Sequence, residues 1–198
     1  EIFGHAQESI QAEDTQYSPT SPYGVCKEFC VQMGKVYRSG YGMHVSNGIL
    51  YNHESPRRGE NFVTQKIVRG AASIAQGKAE FLELGNLEIE RDWGYAPDFV
   101  RGMWKMLQQE QAGDYILATG KTHKLSDLLQ LSFEYFGLNH RKHVRVNPKF
   151  VRPNEPAYLC GDSSKAQKIL GWKPSVTFEQ IIKGMCEAAE KSIQHGKL

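Results

Sequence analysis

The sequence predicts an α/β protein whose second half is a small, mainly helical domain. Short segments rich in β-branched and aromatic residues alternate with amphipathic segments of helical period. From about residue 60 onward the strand-like segments become very short while helical ones multiply, as in a helical domain packed on the end of a sheet. Hydrophobic content of 40% and charged content of 23% over 198 residues are ordinary for a globular chain able to build a core.

The elements follow in order. Ser21 is the expected N-cap of a first helix and Pro22 its first residue, because proline's missing N–H would be unpaired there anyway. Val25, Phe29, Met33 and Val36 recur at three- and four-residue steps as its expected apolar face, and Gly40 and Gly42 end the pattern. MHVSNGILYN (43–52) reads as a buried strand, and HESPRRGE (53–60), with Pro56 and Gly59, as a loop. Residues 61–77 read as a helix capped by Asn61, with Phe62, Ile67 and Ile74 on its apolar face and Gly77 as terminator. FLEL (81–84) is a short strand. The segment 90–110 runs from a loop into a helix whose apolar residues are Phe99, Val100, Met103, Trp104 and Leu107. DYILATG (114–120) reads as a strand, residues 124–138 as a helix capped by Ser126, and HVRV (143–146) as a short strand. Asp162 caps a short helix in GDSSKAQKILGW (161–172). The last helix, in 176–196, opens on a Thr177/Gln180 capping box and has Gly196 beyond its end.

Formal net charge is +2, too balanced to point to nucleic acid or a membrane surface. The basic stretch 140–152 carries no recognised nucleic-acid motif and reads as a solvated face. No apolar run reaches the length of a membrane span, and EIFGHAQESI is not a signal peptide. Cys26, Cys30, Cys160 and Cys186 form no CxxC and complete no zinc set, so buried free thiols in a reducing cytoplasm are expected. His5, His44, His123, His140, His143 and His195 show no metal spacing.

Tyr23 stands four positions before Lys27, one helical turn away on the same face. An ammonium beside a phenol favours the phenolate, which is what a tyrosine needs to act as a base near neutral pH. With 9 tyrosines and 24 Lys+Arg, a shuffled chain would contain about one such pair by chance. The spacing therefore leaves two readings open, a surface pair and a catalytic one.

The wider pattern bears on that choice. NGILYNHESPRRGENFVTQKI (47–67), taken with Tyr23/Lys27, LGNLEIERDWGYAPDFV (84–100), VRPNE (151–155) and GDSSKAQKILGWKP (161–174), resembles the GDP-mannose 4,6-dehydratase family. That family is a branch of the extended short-chain dehydrogenases/reductases acting on nucleotide sugars, and the resemblance runs in order through essentially the whole chain. It implies the C-terminal part of an NAD(P)-binding Rossmann-type domain over 1–60, including the catalytic helix. A mainly helical GDP-sugar-binding domain would follow over 61–198, with some segments returning to the sheet. Glu1-Ile2-Phe3-Gly4 looks like the end of the family's Thr/Ser-Ser-Glu-hydrophobic-aromatic-Gly strand, and no GxGxxG occurs in these residues. The chain thus reads as the C-terminal part of such an enzyme, beginning at a catalytic residue. A chain without the glycine-rich turn cannot hold a dinucleotide in the normal way.

What the resemblance implies for function is specific. The family converts GDP-mannose to GDP-4-keto-6-deoxymannose, feeding fucose- or rhamnose-type sugars, with NADP reduced and reoxidised within each turnover. Tyr23 would be the base at the C4 hydroxyl. Lys27 would lower its pKa and hold the nicotinamide ribose, and Glu1 would take the C5 proton. His53 and Arg58 would lie on the loop that meets NADP of a neighbouring subunit. Asn52, Val63 and Lys66 would line the nucleotide site, Arg91 and Arg152 would bind the diphosphate, and Glu155 the ribose hydroxyls. The complete protein would be a cytoplasmic homotetramer or homodimer, with no metal, nucleic-acid or membrane partner. The alternatives are another nucleotide-sugar dehydratase or epimerase of the same family, or a catalytically inactive interaction module.

Overall fold

The computed structural model describes residues 1–194, so the expected terminator Gly196 lies outside the described residues. The first half contains α1 (Pro22–Tyr41), β1 (Asn47–Leu50), β2 (Asn52–Glu54), α2 (Val63–Ala75), β3 (Leu82–Leu84), β4 (Glu90–Arg91) and β5 (Trp93–Tyr95). Then come α3 (Ala96–Leu107), β6 (Asp114–Leu117), β7 (His123–Lys124), α4 (Leu125–Tyr135), α5 (His140–His143) and β8 (Val144–Val146). A 3-10 turn (Pro148–Phe150), β9 (Tyr158–Leu159), α6 (Ser164–Leu170) and α7 (Phe178–Gln194) complete the chain. No helix among the described residues is long and apolar enough to cross a membrane. The chain forms two compact units. The first comprises Glu1–His53, Arg91–Thr122 and Pro153–Ser175; the second comprises Glu54–Glu90, His123–Arg152 and the described residues from Val176.

The first unit is built on β1 and β6, which pair in parallel from Asn47 with Asp114 to Leu50 with Leu117. A parallel pair is covered on both faces, and the strand pleat sends alternate residues to opposite sides. Ile49, Tyr51, Ile116 and Ala118 face a cluster with Ile2, Phe3, Val31 of α1 and Leu159. Leu50, Tyr115 and Leu117 face the other cluster, with Phe99 and Met106 of α3 and Ala166, Leu170 and Trp172.

Both helices correct the expected apolar faces. Ser21 does cap α1, its Oγ accepting from the Gly24 N–H at 3.0 Å, and the helix ends at Gly42 with φ +64°. Yet the buried residues of α1 are Gly24, Val31 and Gly34, while Val25, Phe29 and Val36 are half or more exposed. The cause is close approach. A β-carbon at Gly34 would collide with the Asn47 side-chain amide, so only glycine lets the helix sit this near the sheet. In α3, Phe99, Gly102 and Met106 point inward, and Val100, Met103, Trp104 and Leu107 are exposed. Gly102 plays the same role there, packed against Leu117 and Trp172.

In the second unit α2, α4 and α7 pack on one another. Ile67, Val68, Ala71, Leu125, Leu128, Leu129, Phe133, Ile181, Ile182 and Met185 are buried at helical spacing. Beside them β3 and β8 pair in parallel from Leu82 with Val144 to Leu84 with Val146. The Thr177/Gln180 capping box forms, with bonds of 2.9 and 3.3 Å. Two other caps differ from expectation. Phe62, not Asn61, is the N-cap residue of α2, and it is half-exposed rather than in the core. Lys124, not Ser126, precedes α4, and its N–H donates to Asp127 Oδ2 at 2.9 Å. In the first unit, the α6 N-cap position falls on Ser163, although Asp162 Oδ1 still accepts from the Ser164 N–H at 2.8 Å.

The cysteines divide. Cys160 and Cys186 are buried as expected, but Cys26 and Cys30 lie exposed because they share the outward face of α1. Burial raises the Cys160 thiol and pushes Cys186 up to about 12. A colorimetric disulfide reagent at pH 8 is therefore expected to titrate two thiols quickly, and the other two only after unfolding. Four fast thiols would contradict this packing.

Candidate functional site

The start of α1 gathers three of the expected site residues. The Ser21 hydroxyl that caps the helix also lies 3.4 Å from Glu1 Oε2, the distance of a long hydrogen bond from the serine. The Ser18 N–H donates to the Ile2 carbonyl at 3.0 Å. A β-carbon at Gly24 would come within 2.8 Å of the Glu1 carbonyl oxygen. The sequence suggested a strand end over 1–4, but no strand forms there. Ile2 and Phe3 are buried, and Gly4 turns the chain at φ +52°. The Glu1 carboxylate is thus held beside the positive end of α1, a favourable place for an anion. Tyr23 and Lys27 occupy the first two turns, both exposed, with Lys27 Nζ 5.4 Å from the Tyr23 ring centroid. Neither the Tyr23 hydroxyl nor the Lys27 ammonium has a hydrogen-bond partner among the described residues, so both remain available to a ligand. Ser21, read from sequence only as a cap, is the residue that ties the carboxylate to this helix.

Asn52 and His53 extend from β1 into β2, both half-buried. His53 Nδ1 is 2.8 Å from the Tyr51 carbonyl, so that nitrogen carries the proton and a neutral ring keeps Nε2 as an acceptor. Its ring stacks on Phe99 at 4.8 Å between centroids. Arg91 is buried and its Nη2 lies 3.2 Å from Glu155 Oε1, so two expected nucleotide contacts meet each other. Next to Arg91 stands a residue that sequence reasoning missed. Asp92 is fully buried and accepts from the Thr119 N–H at 2.8 Å, the Thr119 hydroxyl at 2.7 Å and the Gly120 N–H at 2.8 Å. Burial raises its pKa, and these donors pull the other way. The sequence read this stretch as a loop, whereas Asp92 stands between β4 and β5, and the available signal was an acid set between Arg91 and Trp93.

The remaining expected contacts belong to the second unit. Val63 opens α2, half-buried. Lys66 Nζ donates to the Glu83 carbonyl at 2.8 Å and sits 4.1 Å from the Phe150 ring centroid. Arg152 is exposed on the irregular chain after the 3-10 turn. Arg58 lines a cavity of about 240 Å³ with Arg57, Glu60, Gln65, Arg69 and residues of α7.

Comparison with known proteins gives the chain a family context. Residues 1–185 match the family model described as GDP-mannose 4,6 dehydratase. GDP-mannose 4,6 dehydratase 1 of Arabidopsis thaliana is 47% identical over 187 residues, covering 94% of this chain and 52% of that protein. The chain spans about half the length of the curated relatives it matches. Among solved structures, DesIV, a dTDP-glucose 4,6-dehydratase from Streptomyces venezuelae with NAD and TYD bound, aligns at TM-score 0.86 and 20% identity. That alignment covers 98% of this chain and 58% of DesIV. RMD from Pseudomonas aeruginosa, complexed with NADPH, aligns at TM-score 0.82 and 22% identity, covering 96% of this chain and 63% of that one. At those identities the structures show a shared Rossmann-type fold.

Proposed function

This chain belongs to the GDP-mannose 4,6-dehydratase family, and on that premise we propose that a complete protein carrying it converts GDP-mannose to GDP-4-keto-6-deoxymannose. The observation that carries the proposal is the grouping of Glu1, Ser21, Tyr23 and Lys27 at the start of one helix. A 4,6-dehydration needs a base for a hydroxyl proton and a second group for a carbon-bound proton, and a tyrosine and a carboxylate supply both.

NADP fits this donor set: the unpartnered hydroxyl of Tyr23 and ammonium of Lys27 lie one turn apart on an exposed face, suited to a ribose diol. When bound, the cofactor supplies the acceptor for hydride from C4 and the donor of hydride to C6. Tyr23 Oη takes the C4 hydroxyl proton. The resulting ketone acidifies C5–H, and the Glu1 carboxylate takes that proton and delivers it to the departing C6 hydroxyl as water. Tyr23 then returns its proton to C5. Lys27 orients the ribose, and His53 and Arg58 contribute further cofactor contacts.

For the nucleotide sugar we assign Arg91 and Arg152 to the diphosphate, a role suited to a permanently charged fork. Glu155 accepts from ribose hydroxyls, and Asn52, Val63 and Lys66 line the nucleotide. The pairing of Arg91 with Glu155 supports their assignment, since it holds a buried donor and an acceptor ready together. We assign the complete protein to the cytoplasm as a tetramer, which light scattering distinguishes from a dimer.

The test is direct. The complete protein with GDP-mannose and NADP is expected to yield a 4-keto-6-deoxy nucleotide sugar, and recovery of a C4 epimer instead would overturn the reading. Arg152 is exposed, so Arg152→Ala leaves folding untouched while weakening GDP by about 2 kcal/mol, the scale of a lost charged hydrogen bond. Calorimetry returning an unchanged dissociation constant would remove Arg152 from the site.

A further inference from the structure

Glu54 is the last residue of β2 and Thr64 the second of α2, and the arginine-bearing loop runs between them. The loop is tightly turned: the Arg58 N–H donates to the Ser55 carbonyl at 2.9 Å, and the Phe62 N–H to the Gly59 carbonyl at 3.1 Å. Glu54 closes it from below. Its side chain is 1% exposed, and its Oε2 accepts from Thr64 Oγ1 at 2.7 Å. Arg58 Nε lies 3.3 Å from the same oxygen, near enough for an ion pair but not aligned for a hydrogen bond. Glu54 Oε1 is buried without a partner. The Arg58 guanidinium carbon sits 3.7 Å over the Phe62 ring centroid, which explains why that phenylalanine lies outside the core.

A buried acid is an uneconomical way to close a loop, since well-packed apolar side chains close one as well or better. Here the acid has a consequence for the arginine. Swinging Arg58 away would leave the buried carboxylate without the cation 3.3 Å from it, which favours the guanidinium in this place. Its Nη1 and Nη2 meanwhile have no hydrogen bond among the described residues, and Arg58 lines the cavity it shares with Arg57, Gln65 and Arg69.

We infer that Glu54 is a positioning residue, holding Arg58 by its Nε edge against Phe62 so that the two terminal amines form a ready-made fork for a phosphate group. The identity of that phosphate, the one carried by NADP, rests on the cofactor contact proposed above; the positioning does not. Pre-organisation removes the entropy a long side chain would lose on binding.

Glu54→Gln keeps the shape and an acceptor for Thr64 but removes the charge. The first measurement is ¹⁵N relaxation of the Arg58 Nε–Hε group in the protein. A high order parameter is expected, falling in Glu54→Gln and also in Phe62→Leu, a half-exposed position where folding is not at stake. An order parameter unchanged in both variants overturns the inference. The second is the dissociation constant for NADP in the complete protein. Glu54→Gln is expected to weaken it about three- to tenfold, and to add nothing once Arg58→Ala is present. Equal weakening with and without Arg58 would mean that Glu54 merely supports the loop, and would overturn the inference. If Arg58→Ala itself leaves NADP binding unchanged, the cofactor contact falls, and the relaxation data alone decide the role of Glu54.

Discussion

Tyr23→Phe in the complete protein is expected to lower kcat by about 10²–10⁴-fold while leaving GDP-mannose affinity nearly unchanged. The substitution removes one oxygen from a side chain that is 59% exposed, so neither the core nor the helix is at risk. Ser21 and Pro22 continue to start α1, and Glu1 keeps its place beside Ser21. On the proposed mechanism, what disappears is the atom that would take the C4 proton, an interaction made in the transition state and absent from ground-state binding. Tyr37 and Tyr41 lie on the same helix and are also exposed, so the same change at either is a control expected to leave turnover unaffected. Single-turnover kinetics with saturating GDP-mannose separates chemistry from product release. A near-wild-type rate in Tyr23→Phe would take Tyr23 out of the mechanism.

The longer helices and the strands β1, β3, β6 and β8 were legible because periodicity and punctuation agree there, as in α7, whose capping box formed as read. By contrast β4, β5, β7 and β9, two or three residues each, are too short to carry a period. The inward face of α1 was not legible. Hydrophobic periodicity selects Val25, Phe29 and Val36, whereas contact with the sheet is made by Gly24 and Gly34, which carry no hydrophobic signal and work by lacking a side chain. The same limit applies to α3, where Gly102 faces inward and Trp104 outward. Caps failed for another reason: a side chain three residues on can satisfy the N-cap residue, as Asp127 does for the Lys124 N–H. For the site, the Tyr23/Lys27 spacing was ambiguous until a longer pattern of residues stood beside it. Glu54 was hidden because it sits inside a run read as a polar loop, and nothing in that run shows it to be 1% exposed. Asp92 was hidden because its partners lie 27 and 28 residues away.

That last residue carries the largest expected effect on stability. Asp92 is 0% exposed, and its two oxygens together accept from the Thr119 N–H, the Thr119 hydroxyl and the Gly120 N–H. These donors lie just beyond the end of β6, where Gly120 turns the chain at φ +75°. Asp92→Ala removes the shared acceptor of three donors, but Thr119 is half-buried and also donates to the Lys121 carbonyl, and Gly120 is exposed. Water therefore replaces part of the loss, and each bond costs about 1 kcal/mol. Because one relaxation of the turn relieves several of them together, the expected total is about 2–3 kcal/mol. For a chain of 198 residues that lowers the melting temperature by roughly 5–10 °C. Asp92→Asn keeps one acceptor oxygen for Thr119 but sets an amide NH₂ against a backbone donor, so its cost is expected to fall between wild type and Asp92→Ala. The loss also reaches the site through Arg91, the preceding residue, whose buried guanidinium pairs with Glu155. If Arg91 binds GDP as proposed, GDP binding measured well below the melting transition is expected to weaken in Asp92→Ala even though Asp92 is 0% exposed. Scanning calorimetry on the three proteins orders them. A melting temperature for Asp92→Ala within a degree or two of wild type would show that the turn after β6 holds itself, and that the buried carboxylate is not its anchor.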